Sequence, residues 1–142
     1  MRYKSNQQER RIASHFTNGR QVVGSGSTPF LKGDVIAGKL FIEAKTRASP
    51  AKQITVKKEW LEKAKEQSYS THKEDYAVAI SFGDGKDYYV IDDSFFEDLY
   101  KARETLRKVN DELDNYLNIQ SFSRGYDLDL YDIQKMIEEG YQ

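Results

Sequence analysis

The chain has 142 residues, of which 38% are hydrophobic and 13% aromatic, with no cysteine and a net charge of -1. That length supports one domain with a real core, and the apolar content excludes a disordered chain. The absence of cysteine excludes disulfides, cysteine-ligated zinc and a thiol nucleophile, and no apolar run approaches the roughly 20 residues of a membrane span.

The near-neutral total hides an asymmetry. Residues 1–73 hold 15 Lys+Arg against 6 Asp+Glu, a surplus of +9, and residues 74–142 hold 7 against 17, a deficit of -10. A basic half suits a polyanionic partner, or the two halves neutralise each other in the fold. The opening MRYKSNQQERR lacks the apolar stretch of a signal peptide, so a cytoplasmic place of work is expected.

In chain order, 7–16 reads as a helix with Ile12, Ala13 and Phe16 on one stripe, ended by Asn18-Gly19. A short strand is expected at 21–23, then a flexible GSGST loop at 24–28 stiffened by Pro29. A strand at 34–36, a tight turn at 37–39 and a returning strand at 40–46 make a hairpin. A polar loop over 47–52 leads to a brief extended piece at 54–56 and a helix over 57–67 with Trp60, Leu61 and Ala64 inward. Residues 76–82 alternate as a strand, with Tyr76, Val78, Ile80 and Phe82 on one face, and 88–92 pairs back after Gly83-Asp84-Gly85.

Ser94 and Glu97 have the form of a capping box opening a helix that reaches about residue 117. Its apolar residues, Phe95, Leu99, Ala102, Leu106, Val109, Leu113 and Tyr116, alternate in steps of 4 and 3. A 3.5-residue period favours a supercoiled helix pair, either with a second copy of the chain or with a C-terminal helix carrying Leu130, Ile133, Met136 and Ile137. Contact with a second copy, and hence a homodimer, is the expectation. The organisation is then a core over 1–93 and a helical extension over 94–142 of the same domain.

The stretch 33–47, GDVIAGKLFIEAKTR, sets charges into an otherwise apolar hairpin. Strand side chains alternate, so Phe41, Glu43 and Lys45 share one face while Leu40, Ile42 and Ala44 turn to the core. Asp34 begins the preceding strand and comes within reach of both charges. Two carboxylates and a lysine suit a hard divalent cation such as Mg²⁺, which is often held by only one or two carboxylates and keeps waters or phosphate oxygens. Mn²⁺ would substitute. The alternative is an exposed strand face bearing an ordinary Glu–Lys pair.

With a helix bearing Glu9-Arg10, the short strand at Val22-Val23, the Ser/Gly loop, Asp34-Val35-Ile36 and Ile42-Glu43-Ala44-Lys45 in this order, residues 5–92 resemble the PD-(D/E)xK nuclease superfamily. Within it they are similar to the archaeal-type Holliday junction resolvases and their phage-encoded relatives. The proline that precedes the aspartate in that motif is Gly33 here, and only eight residues separate Asp34 from Glu43. The resemblance implies an α/β, restriction-endonuclease-like core, a mixed central sheet flanked by helices, with the long C-terminal helical appendage outside it. It implies Mg²⁺-dependent hydrolysis of branched or duplex DNA, with Asp34, Glu43 and Lys45 catalytic and with Asp34, Glu43 and Glu9 as metal ligands. A loop serine, Ser25 or Ser27, would contact the junction backbone, and Gln53 would be a further motif residue.

Arg10, Arg11, Lys32, Arg47, Lys52 and Lys57 are candidates to line a DNA groove, against the alternative of a solvated surface. His15 and His72 lack zinc-ligand spacing, and no Gly-rich loop of the NTPase kind occurs. The acidic residues Asp127, Asp129 and Asp132 either keep nonspecific DNA away or are simply solvated. Two other readings share these features: a nuclease of the superfamily with a different DNA substrate, and a non-catalytic DNA-binding protein on the same fold.

Overall fold

The computed structural model describes residues 2–22, 34–123 and 128–140. It divides the chain into two compact units, Met1–Asp92 and Asp93–Gln142. The first holds 16 Lys+Arg against 11 Asp+Glu, a charge of +5; the second holds 6 against 12, a charge of -6.

The first unit runs α1 (Arg2–His15), β1 (Arg20–Gln21), β2 (Asp34–Ala37), β3 (Leu40–Thr46), α2 (Lys58–Ser70), β4 (Asp75–Ser81) and β5 (Tyr88–Val90). The strands form one mixed sheet in the order β1-β2-β3-β4-β5. β3 and β4 are parallel, joined by the α2 crossover, and every other neighbouring pair is antiparallel. A parallel pair inside a sheet is buried on both faces, and the sequence meets that demand on alternate residues. Val35, Ile42 and Ala79 pack with Ile12 of α1, with Ala13, Phe16, Leu40 and Ala44 around them. Phe41, Val78 and Ile80 pack with Ala64 of α2, joined by Ile36, Trp60, Leu61 and Tyr76. The alternation expected for Tyr76, Val78 and Ile80 thus selects the α2 side.

The turns follow local chemistry. Asn18 takes the left-handed φ of +61° after α1, a conformation asparagine tolerates. Gly19 follows because a Cβ there would collide with the carbonyl of Ala13. Gly38 supplies the positive φ, +53°, of the two-residue turn that lets Ala37 pair with Leu40.

Several boundaries differ from expectation: β1 lies at Arg20–Gln21, α2 runs on to Ser70, β5 stops at Val90, and the long helix after β5 runs on to Ser123 rather than about 117. Residues 54–56 form no strand; they run into α2 as irregular chain that lets Ile54 pack beside Phe41 and Trp60. α1 begins at Arg2 rather than 7, since its polar first turns carry no apolar stripe to reveal them. A further difference lies at the start of the second unit.

That unit consists of α3 (Asp93–Ser123) and α4 (Leu128–Glu139), which pack together. α3 begins at Asp93, one residue ahead of the expected capping box, and the Asp93 carboxylate accepts from the Ser94 amide at 2.8 Å. The apolar stripe of α3 is covered unevenly. Leu113 is half-buried where α3 and α4 meet, and Gln134 donates to Asp114. Leu99, Leu106 and Val109 are 50, 46 and 40% exposed. Among the described residues no helix is long and apolar enough to cross a membrane.

Candidate active site

The hairpin register decides the site. Asp34 stands directly opposite Glu43 across the β2–β3 ladder, and directly opposed residues present their side chains to the same face. That face is not open to solvent as a bare strand would be, because α2 covers it. Asp34 and Glu43 are each 2% exposed.

Lys45, two residues along β3 on the same face, places Nζ 2.7 Å from Glu43 Oε1. Lys63 reaches the same oxygen from α2 at 3.2 Å. Lys45 also lies 5.4 Å from the centre of the Trp60 ring, a cation–π contact that fixes its direction. One oxygen of Glu43 therefore receives two ammonium groups. Its other oxygen, Oε2, and Asp34 Oδ2 are buried and have no hydrogen-bond partner.

Buried carboxylate oxygens without a donor are costly. Burial is the main cause that pushes the Asp34 carboxyl up to about 7, reinforced by the facing charge of Glu43 and opposed by Lys63 and Lys45. At neutral pH this aspartate sits near its midpoint. Searches against protein-family models, curated proteins and solved structures found no match.

The donor set fits a small hard cation in part. Two opposed carboxylates with unsatisfied oxygens meet the minimum that Mg²⁺ requires of a protein. The third expected ligand does not join them. Glu9 is buried at 4% exposure, but its carboxylate accepts from Ser5 at 2.8 Å and from Gln21 at 2.9 Å. Among the described residues no group of three or more His, Cys, Asp or Glu side chains could hold a metal ion. Glu9 fastens α1 to β1 and adds negative potential at Asp34, where its charge raises the proton affinity.

The DNA-binding candidates separate. Arg47 and Lys57 border a cavity of about 510 Å³ together with Lys45 and Trp60. Lys52 and Gln53 are exposed on the same loop but do not line that cavity. Arg10 is exposed on α1. Arg11 is committed elsewhere: its Nε and Nη2 bind the two carboxylate oxygens of Asp87 at 2.6 and 2.8 Å. Arg11 therefore ties α1 to the chain entering β5 and is not a free cation for DNA. Ser25, Ser27 and Lys32 lie outside the described residues.

Sequence reasoning missed Lys63, Gln8 and Asp87. Gln8 is 1% exposed and donates to Asp87 at 3.0 Å. Helical spacing was the available signal for Gln8, which lies four residues before Ile12 on the buried stripe. Lys63 had only a weak one, three residues after Trp60 on the face that meets the sheet.

Proposed function

We propose that the protein is a Mg²⁺-dependent DNA endonuclease of the PD-(D/E)xK kind that hydrolyses phosphodiester bonds in branched DNA, as a Holliday junction resolvase does, in a cytoplasm. The observation that carries the reading is the facing pair Asp34 and Glu43. Both are buried, each has one oxygen without a donor, and two lysines converge on the remaining oxygen of Glu43.

Asp34 Oδ2 and Glu43 Oε2 would hold the cation, which when bound supplies a water of lowered pKa and positive charge beside the phosphate. Glu43 Oε1 holds Lys45 and Lys63 in place. Their ammonium groups stabilise the charge that builds on the phosphate oxygens as water adds to phosphorus and the P–O bond to the leaving strand breaks. Trp60 keeps Lys45 from swinging away. The products are one strand end carrying the phosphate and another carrying a hydroxyl.

A second copy of the chain would supply the second cut. The exposed Leu99, Leu106 and Val109 at a 3.5-residue period favour a homodimer through α3, whose two-fold symmetry would match that of a four-way junction. The test is cleavage of a synthetic four-way junction and of linear duplex, with Mg²⁺ and with EDTA, by the native chain and Asp34→Asn. Metal-dependent cutting of the junction, lost in Asp34→Asn, supports the reading. Equal cutting of both substrates transfers it to a nuclease of different substrate, and binding without cutting leaves a non-catalytic DNA-binding protein.

A further inference from the structure

The cavity beside Lys45 is formed at the carboxyl end of β3, one of the two parallel strands. β3 ends at Thr46 and β4 at Ser81, and the chain leaving β3 folds over this edge. Ligands of α/β sheets gather outside such strand ends. The cavity, about 510 Å³, takes its walls from Thr46, Arg47, Ser49, Thr55, Lys57 and Trp60 besides Lys45.

Its chemistry is one-sided. Three cations and three hydroxyls line it, and no carboxylate does. Lys45 answers to Glu43 at the inner end, and Lys57 makes an exposed pair with Glu59 at 3.3 Å, a contact worth little in water. An indole with hydroxyl and cationic neighbours is what a nucleotide requires: a ring to stack on, and donors for phosphate and sugar.

The wall is braced before any ligand arrives. The Arg47 amide donates to Ser81 O at 3.1 Å and the Ala51 amide to Phe82 O at 2.9 Å. Gly83, at φ +85°, lets the chain pass so close under Ser49 that a Cβ would come within 2.8 Å of its carbonyl oxygen. A preformed wall lowers the ordering cost of binding.

We infer that this cavity takes one unpaired nucleotide of a DNA strand, its base against Trp60 and its phosphate toward Arg47 and Lys57. The inference rests on the proposed nuclease reading only for its direction, since Lys45 joins the cavity to the carboxylate pair. A strand entering here would have to be unstacked, so the site selects single-stranded or branched DNA over continuous duplex by access rather than by sequence.

Trp60 is the single tryptophan of the chain, so its fluorescence comes from one site, the wall this cavity shares with Lys45 and the α2-side core. The experiment titrates the full chain in EDTA with the pentanucleotide dT5 and, separately, with a blunt duplex, and measures labelled dT5 binding by anisotropy. Expected are saturable quenching by dT5, at least about tenfold weaker binding in Trp60→Ala, and near-native binding in Trp60→Phe, which keeps a stacking ring. Arg47→Glu, on an exposed loop, is expected to weaken dT5 binding by about tenfold with the fold intact by circular dichroism.

Absence of quenching, or quenching equal for the blunt duplex, would overturn the inference. So would native affinity in both Trp60→Ala and Arg47→Glu. Failure here is distinguishable from failure of the nuclease reading. Quenching by dT5 without Mg²⁺-dependent cutting keeps the cavity and removes the enzyme; cutting without quenching does the reverse.

Discussion

Asp34 and Glu43 face each other across one rung of the β2–β3 ladder, and the fold gives each carboxylate an oxygen with nothing to bind. Such a pair weakens a domain unless a cation completes it, and the consequence is measurable as pH dependence.

Folded Asp34 holds its proton up to about pH 7, whereas its ordinary value is 3.8. Between these two pH values the folded chain binds a proton that the unfolded chain has lost. Stability in EDTA is therefore expected to fall as pH rises from about 4 to about 7, by at most about 4 kcal/mol from this group. Asp34→Asn should abolish that portion of the fall and be the more stable chain at pH 7.5. Urea midpoints at pH 4.5 and 7.5 check this; parallel slopes for the two chains would exclude it. Because a cation must displace the same proton, Mn²⁺ should bind more tightly as pH rises toward 7.

The two lysines on Glu43 are expected to differ. Lys45 is held by both Glu43 and Trp60, while Lys63 is the longer contact and the more exposed side chain, at 48%. Lys45→Ala should lower single-turnover cleavage by about 10²–10³. Lys63→Ala should lower it less, by about tenfold, with metal affinity also changed. A larger loss in Lys63→Ala would assign the phosphate contact to α2.

Arg11 and Arg10 are neighbours in sequence with opposite expectations. Arg11→Ala leaves the Asp87 carboxylate, whose side chain is only 3% exposed, with the Gln8 amide as its side-chain donor, and should cost about 3 kcal/mol. Arg10→Ala should leave stability within about 0.5 kcal/mol and, if α1 meets DNA, reduce the salt dependence of binding by about one ion. Chemical denaturation and binding at several salt concentrations separate the two.

For the long helix, Leu106→Glu should convert a dimer to a monomer in sedimentation. Leu106 is 46% exposed, so the change should leave the monomer folded. If native protein and variant sediment alike as monomers, α3 does not pair with a second copy.

Much of this was legible in the sequence because period two is a strong signal over Leu40–Thr46. It set Glu43 and Lys45 on one face, and the Gly38 turn brought Asp34 to the same place. What the pattern lacked was knowledge of what covers that face. α2 is rich in lysine, and only its spacing of three residues from Trp60 sets Lys63 apart from Lys58 or Lys65 until the crossover places the helix. Arg11 failed for a related reason. Its partner Asp87 lies 76 residues away, and long-range ion pairs leave no periodic trace. The start of α3 came out one residue early, because Asp93 is already helical and its carboxylate accepts from the Ser94 amide.

The ladder register carries a rule of parity. Adding one residue between Val35 and Ala37 would rotate the acid at position 34 toward Ile12 and away from Glu43, while adding two would return it to the α2 face but carry it past Glu43 to lie opposite Lys45. Length changes in this strand should therefore break the facing carboxylate pair by orientation in odd steps and by register in even ones, independently of what residues are inserted.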